Sequence, residues 1–227
     1  MNTVVETRSG TGRGAFFEGV HSFKGAPYAA PPFGDRRFRP PQPVEAWSGI
    51  HDALAFGPKA PSSLESSAQP VMVWIAGGAF EHGTGAAPYD GSRFARDGVV
   101  CMTMNYRVGA DGFLYLGPEV ANNGLLDQLA VLTRVRENIA AFGGDPDNVT
   151  VFGESAGAMS IGTLLSMPRA RGLVHRAILQ SGGAHQVMST GTAARVSRSF
   201  AKARRRRNPP GGGGGVDRSL ASGPKPH

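Results

Sequence analysis

Between residues 149 and 166 the chain changes periodicity within five residues. Val149 to Phe152 is a short apolar run suited to a buried strand, and Ala156 to Ser166 reads as a helix. The join, Gly153-Glu154-Ser155-Ala156-Gly157, matches G-x-S-x-G. A strand that passes into a helix this abruptly must turn sharply, and glycines on either side of the serine permit the turn without a Cβ clash. Such a turn lifts the serine oxygen to the carboxyl end of a sheet, the setting of a nucleophile elbow. Taken alone, the pattern is equally met by a glycine-rich turn with an incidental serine.

The neighbouring segments repeat the alternation. Val71 to Ala76 (VMVWIA) is an apolar run ending in Gly77-Gly78, and a second run spans Val99 to Tyr106. Leu125, Leu129, Leu132, Val135, Ile139 and Phe142 recur every three or four residues, which predicts an amphipathic helix stopped by Gly143 and Gly144. Arg176 to Gln180 reads as a further strand before Ser181-Gly182-Gly183. Strands alternating with helices imply an α/β fold with a mostly parallel central sheet flanked by helices. Residues 26 to 61, rich in proline and aromatics, predict a surface-hugging arm with little regular structure.

Charge divides the chain in two. The formal net charge is +7 over 227 residues, but residues 190 to 227 carry +8 and residues 1 to 189 only −1. The basic character therefore belongs to a tail. RRRRNPPGGGGG and the residues after it show no apolar periodicity, so residues 191 to 227 are expected as a basic, Gly/Pro-rich, disordered tail after a domain spanning 1 to 190. Thr192 to Ala203 alone can continue as a helix. Beyond about Ala201 the composition jumps to arginine, proline and glycine, which has the look of a shifted reading frame. No aromatic residues interleave the arginines, so neither nucleic acid nor membrane is the expected partner. With 40% apolar residues, no apolar stretch of about 20 residues and no basic-then-apolar start, a soluble cytoplasmic protein is expected. Cys101, the single cysteine, sits in an apolar run and is expected as a buried core thiol.

A serine that attacks an ester needs hydrogen-bond donors aimed at the oxygen that becomes negative. The small-residue loop Ala76-Gly77-Gly78-Ala79-Phe80, directly after VMVWI, is of the kind that lets main-chain amides approach closely, and the amide of Ala156 would add another donor. An ordinary strand-to-loop turn is the plainer reading of that loop.

The chain resembles the type B carboxylesterases, which include bacterial p-nitrobenzyl-esterase-like enzymes and the cholinesterases. The resemblance rests on FKGAPYAAPPFGDRRFRPPQPVEAW (23 to 47), VMVWIAGGAF (71 to 80), YDGSRFA (89 to 95), NYRVGADGFL (105 to 114), NNGLLDQ (122 to 128), VRENIAAFGGDPDNVTVFGESAGAMS (135 to 160) and RAILQSGG (176 to 183). It implies the N-terminal part of an α/β-hydrolase fold acting on small-molecule carboxylic esters through an acyl-enzyme, with no cofactor and no metal. It further implies Ser155 as nucleophile, the amides of Gly78, Ala79 and Ala156 as the oxyanion hole, and Glu154 as a supporting residue that orders the site. Asn105, Tyr106, Arg107 and Asp127 match positions that are structural in the family.

Three departures accompany the resemblance. The family order is Ser, then Asp or Glu, then His, yet after Ser155 the chain holds only Asp217, His175, His185 and His227, none at a family position. Relatives run to about twice this length and carry the triad acid and histidine in the half not matched here, so impaired or absent turnover is expected, with a non-catalytic esterase-like binding protein or a non-functional fragment as the alternative. Between Pro61 and Pro70 the chain has only SSLESSAQ where relatives carry a longer segment with a strand, so one strand and its pairing are expected to be missing. Ala76 stands where bacterial relatives usually have histidine.

Overall fold

The structure, a computed structural model, describes residues 3–17, 19–54, 59–62, 68–85 and 89–207. Its N-terminal part holds short strands: β1 (Val4–Thr7), β2 (Gly10–Arg13), β3 (Ala15–Phe17), β4 (Val20–Lys24), β5 (Ile50–Asp52) and β6 (Lys59–Ser62). They form two small sheets, β1-β2-β5 and β3-β4-β6. No element before residue 26 was legible in the sequence, because strands of three to five residues with so few apolar side chains give no periodicity to read. Of the arm expected over residues 26 to 61, the part before β5 holds only one turn of 3-10 helix at Gly34–Arg36, as its prolines predict, but β5 and most of β6 lie within the rest and correct the expectation there.

The remainder is the expected alternation: β7 (Gln69–Ile75), α1 (Ser92–Arg96), β8 (Val100–Met104), α2 (Gly109–Phe113), α3 (Asn123–Asn138), β9 (Gly144–Glu154), α4 (Ala156–Ser166), β10 (Arg176–Gln180) and α5 (Thr190–Arg207). The short helices α1 and α2 are additional to what was expected. Strands β10, β9, β7 and β8 pair in that order, all parallel. Val71, Val73 and Ile75 of β7 and Val149 and Val151 of β9 are buried, packed with Leu132 of α3 and Ile161 of α4. Apolar residues stand side by side along β7 because helices cover both faces of a parallel sheet. The predicted helix over 125–142 ends as α3 plus a 3-10 turn at Ile139–Phe142, and Gly143, at φ 79°, closes it in the left-handed region that glycine adopts freely.

A buried ion pair locks the arm to this core. Arg107, in the loop after β8, forms a two-pronged bond with Asp127 of α3, Nε to Oδ2 at 2.8 Å and Nη2 to Oδ1 at 2.7 Å. Its Nη1 donates to the Arg39 carbonyl in the arm at 2.8 Å, so one guanidinium ties three segments together. Tyr28 packs beside the pair, and burial, then the Asp127 charge, raise its pKa.

The shortened segment before β7 has a milder consequence than expected. Val100, Cys101 and Met104 of β8 are at most 2% exposed, so this side of the sheet is not laid bare. The N-terminal elements close over it, with β6 lying alongside β8. They do so imperfectly, leaving an apolar cavity of about 110 Å³ lined by Phe23, Tyr28, Trp47, Val100, Met102 and Met104 among others. Burial pushes the Cys101 thiol up to about 11, as befits the core position expected for it.

At the other end, α5 corrects the expectation of a disordered tail from residue 191. The helix runs from Thr190 to Arg207, further than the stretch from Thr192 to Ala203. Alanines and the aliphatic stems of arginine favour helix, and Ser197 anchors it by donating to the Tyr115 carbonyl at 2.6 Å. The rest of the expected tail, residues 208–227, lies outside the described residues.

Candidate active site

β9 ends at Glu154 and α4 begins at Ala156, so Ser155 alone makes the turn. Its φ of 53° and ψ of −119° lie outside the regions open to a residue with a Cβ. Such a conformation costs on the order of 1–3 kcal/mol and survives only when the surroundings enforce it. The enforcing contacts are visible. The Ser155 N–H donates to the Gln180 carbonyl at the end of β10, at 2.9 Å, and the Ser155 carbonyl accepts from Met159 N–H at 3.0 Å. A Cβ added at Gly157 would lie 2.0 Å from the Ile75 carbonyl oxygen, and one at Gly153 2.7 Å from the same atom. The two glycines thus let the start of α4 press against the end of β7.

That close approach sets the loop after β7 beside the serine. A Cβ added at Gly77 would meet the Glu154 carbonyl oxygen at 2.6 Å, Glu154 Oε2 at 3.0 Å and Ser155 Cβ at 3.4 Å. Gly78, Ala79 and Phe80 follow at φ 120°, 55° and 62°, three consecutive positive values of which two belong to residues with side chains. The loop is tied at both ends: Tyr106 Oη donates to the Ala76 carbonyl at 2.6 Å, and Gly109 N–H donates to the Phe80 carbonyl at 2.6 Å. Glu81 and His82 N–H both turn back to the Gly78 carbonyl. Among the described residues nothing accepts from the N–H of Gly78 or Ala79. The N–H of Ala156 belongs to the first turn of α4, where helix geometry supplies no partner. Burial pushes the Tyr106 phenol up to about 12, so it keeps the proton that holds Ala76.

Of the remaining expected residues, Glu154 is exposed, with its carboxylate against Gly77. Asn105, Tyr106, Arg107 and Asp127 all serve as struts, Asn105 by accepting from Gly85 N–H at 2.7 Å. His175 cannot serve Ser155. Its Nδ1 accepts from Val149 N–H in the middle of β9, six residues before Ser155 and hence about 20 Å away at the rise of a strand. His185 is exposed beyond β10. Among the described residues Ser155 Oγ takes part in no hydrogen bond. No three His, Cys, Asp or Glu side chains among the described residues cluster as metal ligands, and no described helix is long and apolar enough to cross a membrane.

Two supports escaped the sequence reading. Gln180 receives the Ser155 N–H, and Gly182 packs against the serine's carbonyl, where an added Cβ would lie 2.7 Å from the oxygen. The signal was present in Gln180-Ser181-Gly182-Gly183, a glycine pair directly after a strand, but only the register of β10 against β9, Gln180 opposite Glu154, reveals what it packs on.

A serine held in a strained turn at the end of an inner parallel strand, beside a glycine-rich loop from the adjacent strand, is the architecture of the α/β-hydrolase fold. The chain belongs to the carboxylesterase family, whose model matches residues 1–69 and 60–207. The two matched pieces meet at the shortened segment, and the second reaches Arg207, beyond the Ala201 limit expected from composition. The chain is 46% identical over 230 residues to a para-nitrobenzyl esterase of Bacillus subtilis (strain 168), covering 87% of this chain and 47% of that protein. It is 42% identical to a fumonisin B1 esterase of Sphingopyxis macrogoltabida, covering 82% and 41% respectively. Among solved structures, a PNB esterase superposes with TM-score 0.85 at 46% identity over 89% of this chain and 48% of that one. A carboxylesterase of Geobacillus stearothermophilus gives 0.86 at 44%, over 92% and 52%. The chain thus spans about half the length of the curated relatives it matches.

Proposed function

We propose that the chain carries the nucleophile of a carboxylic ester hydrolase acting on small-molecule esters. The observation that carries this reading is Ser155 at φ 53° between β9 and α4, beside the Gly77 loop. Ser155 Oγ attacks the ester carbonyl carbon, and the carbonyl oxygen gains the charge that the N–H groups of Gly78, Ala79 and Ala156 hold. The alcohol leaves, and water releases the acid from the acyl-serine. Glu154 steadies the loop through its contact at Gly77. Neither metal nor organic cofactor is called for, and nucleic acid and membrane have no part in it; the setting is cytoplasmic.

The hydroxyl also needs a base to take its proton. His175 is held against Val149, about 20 Å back along β9 at the rise of a strand, and Ser155 Oγ has no partner among the described residues. Removing the histidine of a serine hydrolase costs roughly a millionfold in kcat, so this chain by itself is a strongly impaired hydrolase. Incubation with an activated p-nitrophenyl ester and with a fluorophosphonate probe tests the reading. Slow labelling that disappears in Ser155→Ala supports it; labelling that persists in that variant overturns it. The unpartnered Oγ favours a second reading, ester binding without turnover, which requires saturable ester binding with no acyl-serine in the mass spectrum.

A further inference from the structure

The N-terminal sheets meet β8 and α3 without filling the space between them. The apolar cavity of about 110 Å³ left there is walled by Phe23, Trp47 and Ala53 from the N-terminal part and by Met102, Met104 and Phe142 from the rest. Its aromatic walls cannot fall in. A Cβ added at Gly10 would lie 2.6 Å from the Trp47 indole nitrogen, and one at Gly14 2.7 Å from the Phe23 ring, so both rings press on bare backbone. Trp47 Nε1 is also pinned, donating to the Thr11 carbonyl at 3.0 Å. Phe23 stands edge-on to Phe142 with ring centroids 5.0 Å apart. A void held open in this way forfeits dispersion contacts that a guest would restore.

The walls define the guest. Arg134 is the one charged side chain among the described residues that line the cavity. It is engaged: Nη2 donates to Ser9 Oγ at 2.9 Å, and Nη1 lies 3.7 Å from Glu137. Asn138 commits its amide to the Arg134 carbonyl and its oxygen to Arg8 N–H. What remains is mainly aromatic ring and the thioethers of Met102 and Met104, surfaces that favour the edge or face of another aromatic ring. Size points the same way, since an apolar cavity of about 150 Å³ in another protein stays dry and takes up benzene. Of the described lining residues only Ala26 and His51 are exposed, so the way in lies beside them. We propose that this cavity binds one small, uncharged, single-ring aromatic molecule. The site shares no residue with the turn at Ser155 or the loop after β7, so it stands apart from the ester chemistry.

The test titrates the full chain, carrying carbon-13 at its methionine methyls, with fluorobenzene. Saturable binding at one site is expected in the fluorine spectrum. The methyl resonances of Met102 and Met104 should shift, and that of Met159, in α4, should stay in place. The melting temperature should climb with ligand concentration, because the guest binds the folded chain. Benzoate, the same ring bearing a charge, should bind at least about a hundredfold more weakly. Ala53→Met fills the space with a flexible side chain and should abolish saturation; if that variant does not fold, the methyl shifts in the unaltered chain decide by themselves. Absence of saturation, benzoate binding as tightly as fluorobenzene, or shifts at Met159 in place of Met102 and Met104 would each overturn the site.

Discussion

β9 and β10 are adjacent parallel strands of similar apolar character and opposite fate. Val149 and Val151 of β9 are 1% and 0% exposed, while Ile178 and Leu179 of β10 are 46% and 36% exposed. What separates them is company. β9 has β7 on one side, β10 on the other, and α3 and α4 packed against it, whereas β10 has β9 and part of α4. Burial, and the stability it supplies, is therefore set by neighbours rather than by the strand's own composition. The strained serine sits at the well-packed end of this gradient, where Ile75, Gly157 and Gln180 can hold its backbone.

If the centre is rigid and the β10 side slack, substitutions should divide accordingly. The largest effect is expected at Asp127, 3% exposed at its side chain and the sole carboxylate on the Arg107 guanidinium among the described residues. Asp127→Ala leaves a buried cation unpaired and should cost about 3–5 kcal/mol in chemical denaturation. Next comes a matched pair. Ile161→Ala, in the centre, should cost about 2–5 kcal/mol through lost burial and the cavity left behind, whereas Ile178→Ala should stay within about 0.5 kcal/mol. Equal costs for the two isoleucines would break the comparison.

Ser155→Gly should move stability the other way, by about 1 kcal/mol, because glycine occupies φ 53° and ψ −119° without strain. A thermal melt that rises while labelling disappears would separate the strain from the chemistry; a fall would mean that the turn is not strained. The smallest effect belongs to His21 of β4, whose buried Nδ1 has no hydrogen-bond partner. Desolvation, then the charge of the N-terminus, lowers its pKa. The unfolded chain therefore takes up this proton first as pH falls. Stability should be full above the ordinary histidine value of about 6.5 and decline below it. His21→Leu should flatten that part of the melting profile measured between pH 5 and 8.

Much of the core was legible because its elements obey simple periods. The three-and-four spacing from Leu125 to Phe142 yielded α3, and the apolar runs at 71 and 149 yielded β7 and β9, although β9 proved longer at both ends. The N-terminal strands were not legible, since Gly10-Thr11-Gly12-Arg13 pairs through its backbone with β1 and β5 and carries no side-chain signal. α5 was underread for the opposite reason: a run of arginines looks solvated, yet their propensity is helical.

The sequence by itself determined that residue 155 is a sharp bend between strand and helix, because only the glycines at 153 and 157 admit so close a turn. It equally determined the alternation of elements that makes the sheet parallel. Only the tertiary structure decided which groups face that bend and which strand is left open. Gly77, Gln180 and Gly182 meet Ser155 through strand register, and β10 is exposed because, among the described residues, it pairs with β9 alone. Both depend on contacts between segments far apart in the chain, which no local pattern encodes.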